Sequence, residues 1–209
     1  LLTGSVFDIS RNNALVTDPE NPNNSIQVGE SRTKGVELEG RAEIYPGLQF
    51  LVAITYLDSV YARGNSAKTS VLYGNLAAGV TGMHALGVPS WMSSTFLSYD
   101  FRDARFVRGA FHGLMVGGGF RYTGPTDGVT TTIINGQTAN LRFRVPAYTL
   151  GEITARYDFS VLSNRMHGLT IQMNIDNIAG TKYVSSCSVT SWCWYGAPRT
   201  VVGSLHYQW

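Results

Sequence analysis

This 209-residue sequence contains two cysteines, and their spacing allows them to form a covalent bond with each other. Cys187 and Cys193 lie six positions apart, close enough for a disulfide that closes a small loop. In the chain-entropy model so short a crosslink contributes about 2 kcal/mol, and stable disulfides are typical of oxidising compartments such as the periplasm or cell surface. Two free thiols or half of a metal site are the alternatives. The lack of further cysteines and of a neighbouring histidine argues against a metal.

Histidine, serine and acidic residues do not combine into a catalytic motif. The sequence has no Gly-x-Ser-x-Gly elbow, phosphate-binding loop or His-Glu-x-x-His motif. Its four histidines are widely spaced and share no short motif with one another or with cysteine: His84, His112, His167 and His206. We therefore expect a protein that is not an enzyme, with no catalytic residue, no metal site and no intrinsic cofactor.

Composition narrows the class of protein. Charged residues make up 14% of the chain, against about 25% in ordinary soluble domains, yet the mean hydropathy is near zero. This combination results when apolar residues alternate with small polar ones. The net charge of +2, with scattered Arg and Lys, gives no support for nucleic-acid binding.

The longest uncharged stretch, 69–99, contains a proline and four glycines and does not have the pattern of a membrane helix. No signal peptide opens the chain, so we expect a mature or truncated fragment.

The elements that must position any site are strands, and the C-terminal one is the clearest. Val201, Gly203, Leu205, Tyr207 and Trp209 fall on one face, and mainly polar residues fall on the other. This alternation is the period of a strand with one apolar and one wet side. Ending on Trp209 two residues after Tyr207 is typical of the aromatic girdle of a membrane β-barrel.

Seven further segments alternate in the same way. In the first, Phe7 and Ile9 share one face. In the second, Val36, Leu38, Ala42 and Ile44 oppose four charged residues. The eight predicted strands are 3–11, 35–44, 47–58, 88–101, 111–123, 146–159, 168–176 and 199–209.

The connections between these strands alternate strictly between short and long. The short ones are 45–47, 103–108 and 160–167, and the long ones are 12–25, 61–87, 124–144 and 177–198. Outer-membrane barrels have short periplasmic turns and longer extracellular loops. This pattern places the C-terminus in the periplasm and the cysteine pair in the last external loop.

The charged face of the second strand must then line the lumen. A charge facing lipid at mid-depth costs about 2–4 kcal/mol, and this face carries Glu37, Glu39, Arg41 and Glu43. A soluble antiparallel barrel or sandwich is the alternative, because alternation alone does not separate the two. Aromatic residues at the strand ends favour the membrane: Tyr45, Tyr56, Tyr99, Phe101, Tyr122, Tyr157, Phe159 and Trp209.

Several motifs, in matching order over essentially the whole chain, resemble TonB-dependent siderophore receptors. They are Ser31-Arg-Thr-Lys before Gly35-Val-Glu-Leu-Glu39, Val88-Pro89, Pro146-Ala-Tyr-Thr-Leu150 and Arg156-Tyr-Asp158. The chain end is similar to the ferric-hydroxamate (ferrichrome-type) group, through Asn174-Ile-Asp-Asn-Ile178, Lys182-Tyr-Val-Ser-Ser-Cys187 and Cys193-Trp-Tyr-Gly-Ala-Pro-Arg199.

The resemblance implies a 22-stranded barrel of the Gram-negative outer membrane, plugged by an N-terminal domain. Residues 1–209 would be its C-terminal part, with about eight strands and without the plug or the segment that contacts the TonB complex. The implied partners are the ferric siderophore as transported ligand, the plug of the same receptor, outer-membrane lipid and the TonB complex.

The resemblance also implies roles for particular residues. Trp192, Trp194 and Tyr195 beside the disulfide, and Tyr73 in the second long loop, are the candidate siderophore contacts. Packing against other loops is the alternative for each. The residues Glu37, Glu39, Arg41 and Glu43 would face the plug, or only solvent, and Tyr207 and Trp209 would anchor the wall at the membrane interface.

Two rival functions remain open from the sequence. One is a self-contained eight-stranded outer-membrane barrel with a structural, adhesive or lipid-modifying role. Against it, the luminal face is rich in Gly and Ser, such as Gly117, Gly119 and Ser204, and would fill a narrow barrel poorly. The other is a soluble ligand-binding barrel.

Overall fold

The computed structural model describes residues 1–17, 25–63, 82–104, 109–134, 137–189 and 192–209. Strands dominate it, with short 3₁₀ helices at some of the turns. The strands are β1 (Leu2–Thr17), β2 (Ser25–Tyr45), β3 (Leu48–Arg63), β4 (Trp91–Asp100), β5 (Leu114–Thr123), β6 (Thr126–Ile134), β7 (Gln137–Val145), β8 (Tyr148–Asp158), β9 (Leu169–Asp176), β10 (Val184–Val189), β11 (Trp192–Tyr195) and β12 (Thr200–Tyr207). None of the helices in these residues has the length and apolar character needed to cross a membrane.

Eight strands form one antiparallel sheet in the order β1-β2-β3-β4-β5-β8-β9-β12. Each corresponds to one of the eight predicted strands, so the predicted all-β antiparallel fold is confirmed. Within the described residues β1 and β12 do not pair with each other. The sheet is therefore an open wall with two free edges.

The predicted long loops are partly wrong. The 124–144 and 177–198 connections contain the hairpins β6–β7 and β10–β11, which form a second sheet in the order β11-β10-β6-β7. Strands β1, β2 and β3 also run well beyond their predicted ends. In sequence, segments 12–17 and 59–63 of these extensions do not alternate regularly between apolar and polar residues, which is the signal on which the prediction depended. At the other edge, Phe111 belongs to a 3₁₀ helix, Gly109–Gly113, and not to a strand.

The strand register sorts the side chains of the wall into two faces, which we call the apolar face and the polar face. Cross-strand partners share a face, and Ile54–Leu38, Ile153–Ile175 and Val201–Ile175 are partners on the apolar face. The apolar face has large exposed hydrophobic residues in every strand of the wall. Among the described residues of these eight strands, Leu150 is the buried hydrophobic one.

Aromatic rings border the apolar face at both edges. At the long-loop edge Tyr56 lies beside Trp91, with ring centroids 4.8 Å apart. At the short-turn edge β4, β8 and β12 each have a Tyr as the last or next-to-last residue, and a second ring follows two residues later, in the pairs Tyr99–Phe101, Tyr157–Phe159 and Tyr207–Trp209. Trp91 and Tyr99 are eight residues apart on β4, about 26 Å along the strand, or roughly 20 Å in height at a barrel tilt near 40°. This height approaches the apolar band of about 25 Å that membrane barrels have.

Charged residues begin on the apolar face immediately beyond Tyr56 and Trp91, the aromatic row at the long-loop edge. Asp8 and Asp58 lie on either side of Lys34, one same-face step above Val36 and Tyr56. Asp8 accepts two hydrogen bonds from the guanidinium of Arg32. The apolar band is thus sharply bounded, as the lipid-facing prediction requires.

Strand β1 carries two apolar residues on the polar face. Phe7 and Ile9 pair with Gly35 and Thr33, on the side opposite Val6 and Val36. The ring of Phe7 lies over Gly35, where any added side chain would overlap it. The shared face predicted for Phe7 and Ile9 is therefore the polar face of the wall.

Candidate ligand-binding mouth and lumen wall

On the polar face, as their alternation predicts, lie the β2 residues Glu37, Glu39, Arg41 and Glu43. Glu37 is partnered by Ser5, whose hydroxyl donates to its carboxylate at 3.2 Å, and Glu43 accepts from the Gly47 N–H at 3.1 Å. Among the described residues, the side chains of Glu39 and Arg41 have no hydrogen bond or salt bridge. Because they are exposed and unpaired there, they are available to a group inside the lumen.

On the polar face of β8 and β9 an uncharged, hydrogen-bonded cluster lies between Glu152 and Arg156. The Asn174 side-chain oxygen accepts from the Thr154 hydroxyl at 2.7 Å and from the Gln172 amide at 3.0 Å. The three side chains of this cluster therefore satisfy one another.

The last long connection carries the candidate site. Its hairpin β10–β11 is crosslinked by the Cys187–Cys193 disulfide. Cys187 is only 3% exposed, whereas the aromatic residues on β11 are open: Trp194 is 56% exposed and Tyr195 is 82% exposed. Successive residues of a strand point to opposite sides, so Trp194 lies on the side away from the disulfide. The hairpin thus buries Cys187 of the disulfide and exposes the rings of Trp194 and Tyr195 to solvent.

Two predicted contacts are not described to the same depth. Tyr73 lies outside the described residues, and for Trp192 only the backbone, at the start of β11, is described. The structure therefore brings together Trp194, Tyr195 and the disulfide, and ligand contact stays a prediction for all four aromatic residues.

Asn177, to which the sequence assigned no role, holds the base of this connection. Its backbone is left-handed (φ 51°), and its side chain is 4% exposed. The amide nitrogen donates to the carbonyls of Thr181 and Ala197, at 2.9 and 3.1 Å, and the amide oxygen accepts from the Thr181 N–H at 2.8 Å. Both sides of the base are thereby joined. An asparagine directly after a strand is the signal that could have indicated it, because Asn tolerates this conformation.

A tyrosine pair joins the hairpin to the wall. Tyr183 immediately precedes β10, and its ring lies 4.2 Å from that of Tyr148, the first residue of β8. Gly196 immediately follows β11, donates its N–H to the Tyr183 carbonyl at 2.9 Å and lies beneath the Tyr183 ring.

The hairpins β6–β7 and β10–β11, which together we call the mouth, also contact each other. Val189 of β10 pairs with Val129 of β6. Residues 82–87 cross between β3 and the β6–β7 hairpin. His84 pairs with Val60, the Arg142 guanidinium donates to the His84 carbonyl at 2.7 Å, and the Gly87 N–H donates to the Asp127 carbonyl at 2.9 Å. The described parts of the last three long connections are therefore joined through the β6–β7 hairpin.

The parts of the chain described here contain no group of three His, Cys, Asp or Glu residues placed to hold a metal ion. The arrangement is that of a wall with a structured mouth, whose exposed aromatic rings could bind a ligand by stacking and hydrophobic contact.

Comparison with known proteins decides the family. Residues 1–178 match the family model described as TonB dependent receptor-like, beta-barrel. The chain belongs to the TonB-dependent receptor β-barrel family. Proteins of this family are receptors and transporters of the Gram-negative outer membrane, and the predicted resemblance is confirmed.

Relatives of this receptor chain include proteins named for siderophores. It is 31% identical over 206 residues to the ferrioxamine B receptor of Salmonella typhimurium strain LT2, covering 98% of this chain and 25% of that protein. It is also 31% identical over 208 residues to the ferrichrome outer membrane transporter/phage receptor of Escherichia coli K12, covering 100% and 24%. The chain thus spans about a quarter of the length of these relatives.

Solved structures of similar fold are siderophore receptors as well. The receptor PiuA from Acinetobacter baumannii superposes with a TM-score of 0.70 at 22% identity, over 99% of this chain and 26% of that one. The ferripyoverdine receptor of Pseudomonas aeruginosa gives 0.69 at 23% identity, over 99% and 24%. At these identities the likeness concerns the fold alone.

Proposed function

We propose that this chain is the C-terminal part of an outer-membrane receptor that binds a ferric siderophore and imports it in a TonB-dependent manner. The observation that carries the proposal is the open wall, with an aromatic-bordered apolar band on one face and a polar face behind it. An unpaired strand edge in lipid would leave backbone N–H and C=O groups unsatisfied, each costing several kcal/mol. The edges of β1 and β12 therefore call for further strands.

The same reasoning disfavours a self-contained eight-stranded barrel, because that barrel would need β1 to pair with β12. We infer a complete barrel of 22 strands with a plug in its lumen, in keeping with relatives about four times as long as this chain. Glu39 and Arg41 would then hydrogen-bond to the plug together with Glu37 and Glu43, and the plug-bearing part would contact the TonB complex.

The ligand we propose is a ferric hydroxamate. Two relatives are named for ferrioxamine B and ferrichrome. Such complexes present amide and aliphatic surface, which suits exposed aromatic rings better than a charged pocket. Trp194 and Tyr195, with Trp192 beside them and Tyr73 on the second loop, would contact the ligand. The protein's action is binding and gated transport, without chemical conversion of the ligand.

Equilibrium binding tests this proposal on the intact receptor that contains these residues, purified in detergent. Ferrichrome and ferrioxamine B are the probes, and a ferric catecholate of similar size is the comparison ligand. We expect saturable binding of at least one hydroxamate and a loss of about tenfold or more in affinity for Trp194→Ala/Tyr195→Ala. Absence of hydroxamate binding, or stronger binding of the catecholate, would overturn the proposed ligand class.

A further inference from the structure

The disulfide hairpin is attached to the rest of the molecule along β6 and at its base. Beside β6, Val189 pairs with Val129, and the base is held by Asn177 and by the Tyr183–Gly196 hydrogen bond. The hairpin would turn as a unit about this base if the base were loosened, because its own two strands are crosslinked.

Tyr183 is the side chain that restrains such a turn. Its ring rests on Gly196 at one end of the base and faces Tyr148 of the wall at 4.2 Å, with 35° between the ring planes. Tyr148 belongs to β8, opposite Thr123 of β5, and so to the rigid sheet. The ring is therefore held between the end of the hairpin and the wall.

Gly196 is required for this arrangement on steric grounds. A methyl group at position 196 would overlap the Tyr183 ring, so any other residue would displace it. Trp194 and Tyr195 directly precede Gly196, and the direction in which they leave the wall depends on where that glycine lies.

We propose that Tyr183, seated on Gly196 and stacked against Tyr148, is a positioning residue that fixes Trp194 and Tyr195 at the mouth and thereby sets ligand affinity. It acts through the hairpin and not by touching the ligand. This proposal rests on the proposed function, since it concerns affinity for the same ferric hydroxamate.

The test is a double-mutant cycle on the intact receptor, read as the dissociation constant for whichever of ferrichrome and ferrioxamine B the wild type binds. Tyr183→Ala is expected to weaken binding about tenfold in the wild-type background and less than twofold when Trp194 and Tyr195 are already alanine. A positioning role requires this non-additivity, because the effect passes through the two rings. An equal loss in both backgrounds, or no loss in either, would overturn the proposal.

Three further variants test whether the loss of affinity comes from the position of the Tyr183 ring. Tyr183→Phe keeps the ring and should bind within twofold of wild type, whereas Gly196→Ala keeps the tyrosine but displaces it and should reproduce the Tyr183→Ala loss. Tyr45→Ala, at the opposite edge of the sheet, removes the same side chain and should leave affinity unchanged. Failure of the wild type to bind either hydroxamate would count against the proposed function; additive losses in a binding-competent receptor would count against Tyr183 alone.

Discussion

The sharpest consequence of the two-faced wall concerns neighbouring residues of β8. Ile153 lies on the apolar face, 43% exposed, opposite Gly118 and Ile175. It is four residues from Tyr157 and four from Thr149, about 13 Å along the strand from each, and so near the middle of the band. Arginine at the mid-plane of a barrel's lipid face costs about 2–4 kcal/mol. Ile153→Arg should therefore lower the folding equilibrium constant roughly 30- to 900-fold.

Thr154→Arg provides the matched control, because Thr154 is the next residue and faces the lumen. Its cost should be about 1 kcal/mol, from the lost hydrogen bond to Asn174. The assay is urea-dependent folding of the intact receptor into lipid vesicles, followed by the heat-modifiable shift of folded barrels on gels. If Thr154→Arg proved as costly as Ile153→Arg, or more so, the assignment of the two faces would be refuted.

Three further predictions concern the turns and the mouth. Asn177→Asp removes both amide donations from a buried site and should destabilise the loop base by about 1–3 kcal/mol, seen as faster proteolysis between β9 and β12; unchanged protection would contradict this. Gly168→Ala should reduce stability more than Gly82→Ala in urea titrations, since both have positive φ but only at Gly168 would the new methyl meet backbone, the Gln208 carbonyl; equal effects would contradict the turn geometry. Cys187→Ser removes the disulfide and should lower the local stability of the hairpin by about 2 kcal/mol, seen as faster amide hydrogen exchange there, while the amides of β9 and β12 stay protected. An equal loss of protection in all three places would contradict a local role.

The strands of the wall were predictable because apolar and polar residues alternate along them with a regular period. Each strand alternates with period two, and a register slip of one residue would turn Glu37 and Glu39 towards the apolar side, so the sequence fixes which face is which. In β1 the exceptions are Phe7 and Ile9, and Phe7 shows the reason. Its aromatic ring suggests the apolar face, but the space above Gly35 accepts it on the other.

The mouth was less predictable for a physical reason. Strands β6, β7, β10 and β11 form hairpins above the apolar band, where neither face needs to be apolar, so no alternation marks them. The contact between Val189 and Val129 joins residues 60 positions apart and leaves no local signal. Tyr183 and Gly196 likewise meet only because the hairpin brings both sides of its base together.

Uptake of iron by cells is the measurement that most directly tests the central claim. Cells carrying the intact receptor gene, and cells lacking it, would be given radiolabelled iron as the hydroxamate complex that the receptor binds, with and without an uncoupler of the inner membrane. We predict accumulation that requires the gene and stops with the uncoupler, while binding at the cell surface persists. Accumulation that is the same without the gene, or that continues at full rate without energy, would contradict an energy-coupled siderophore receptor.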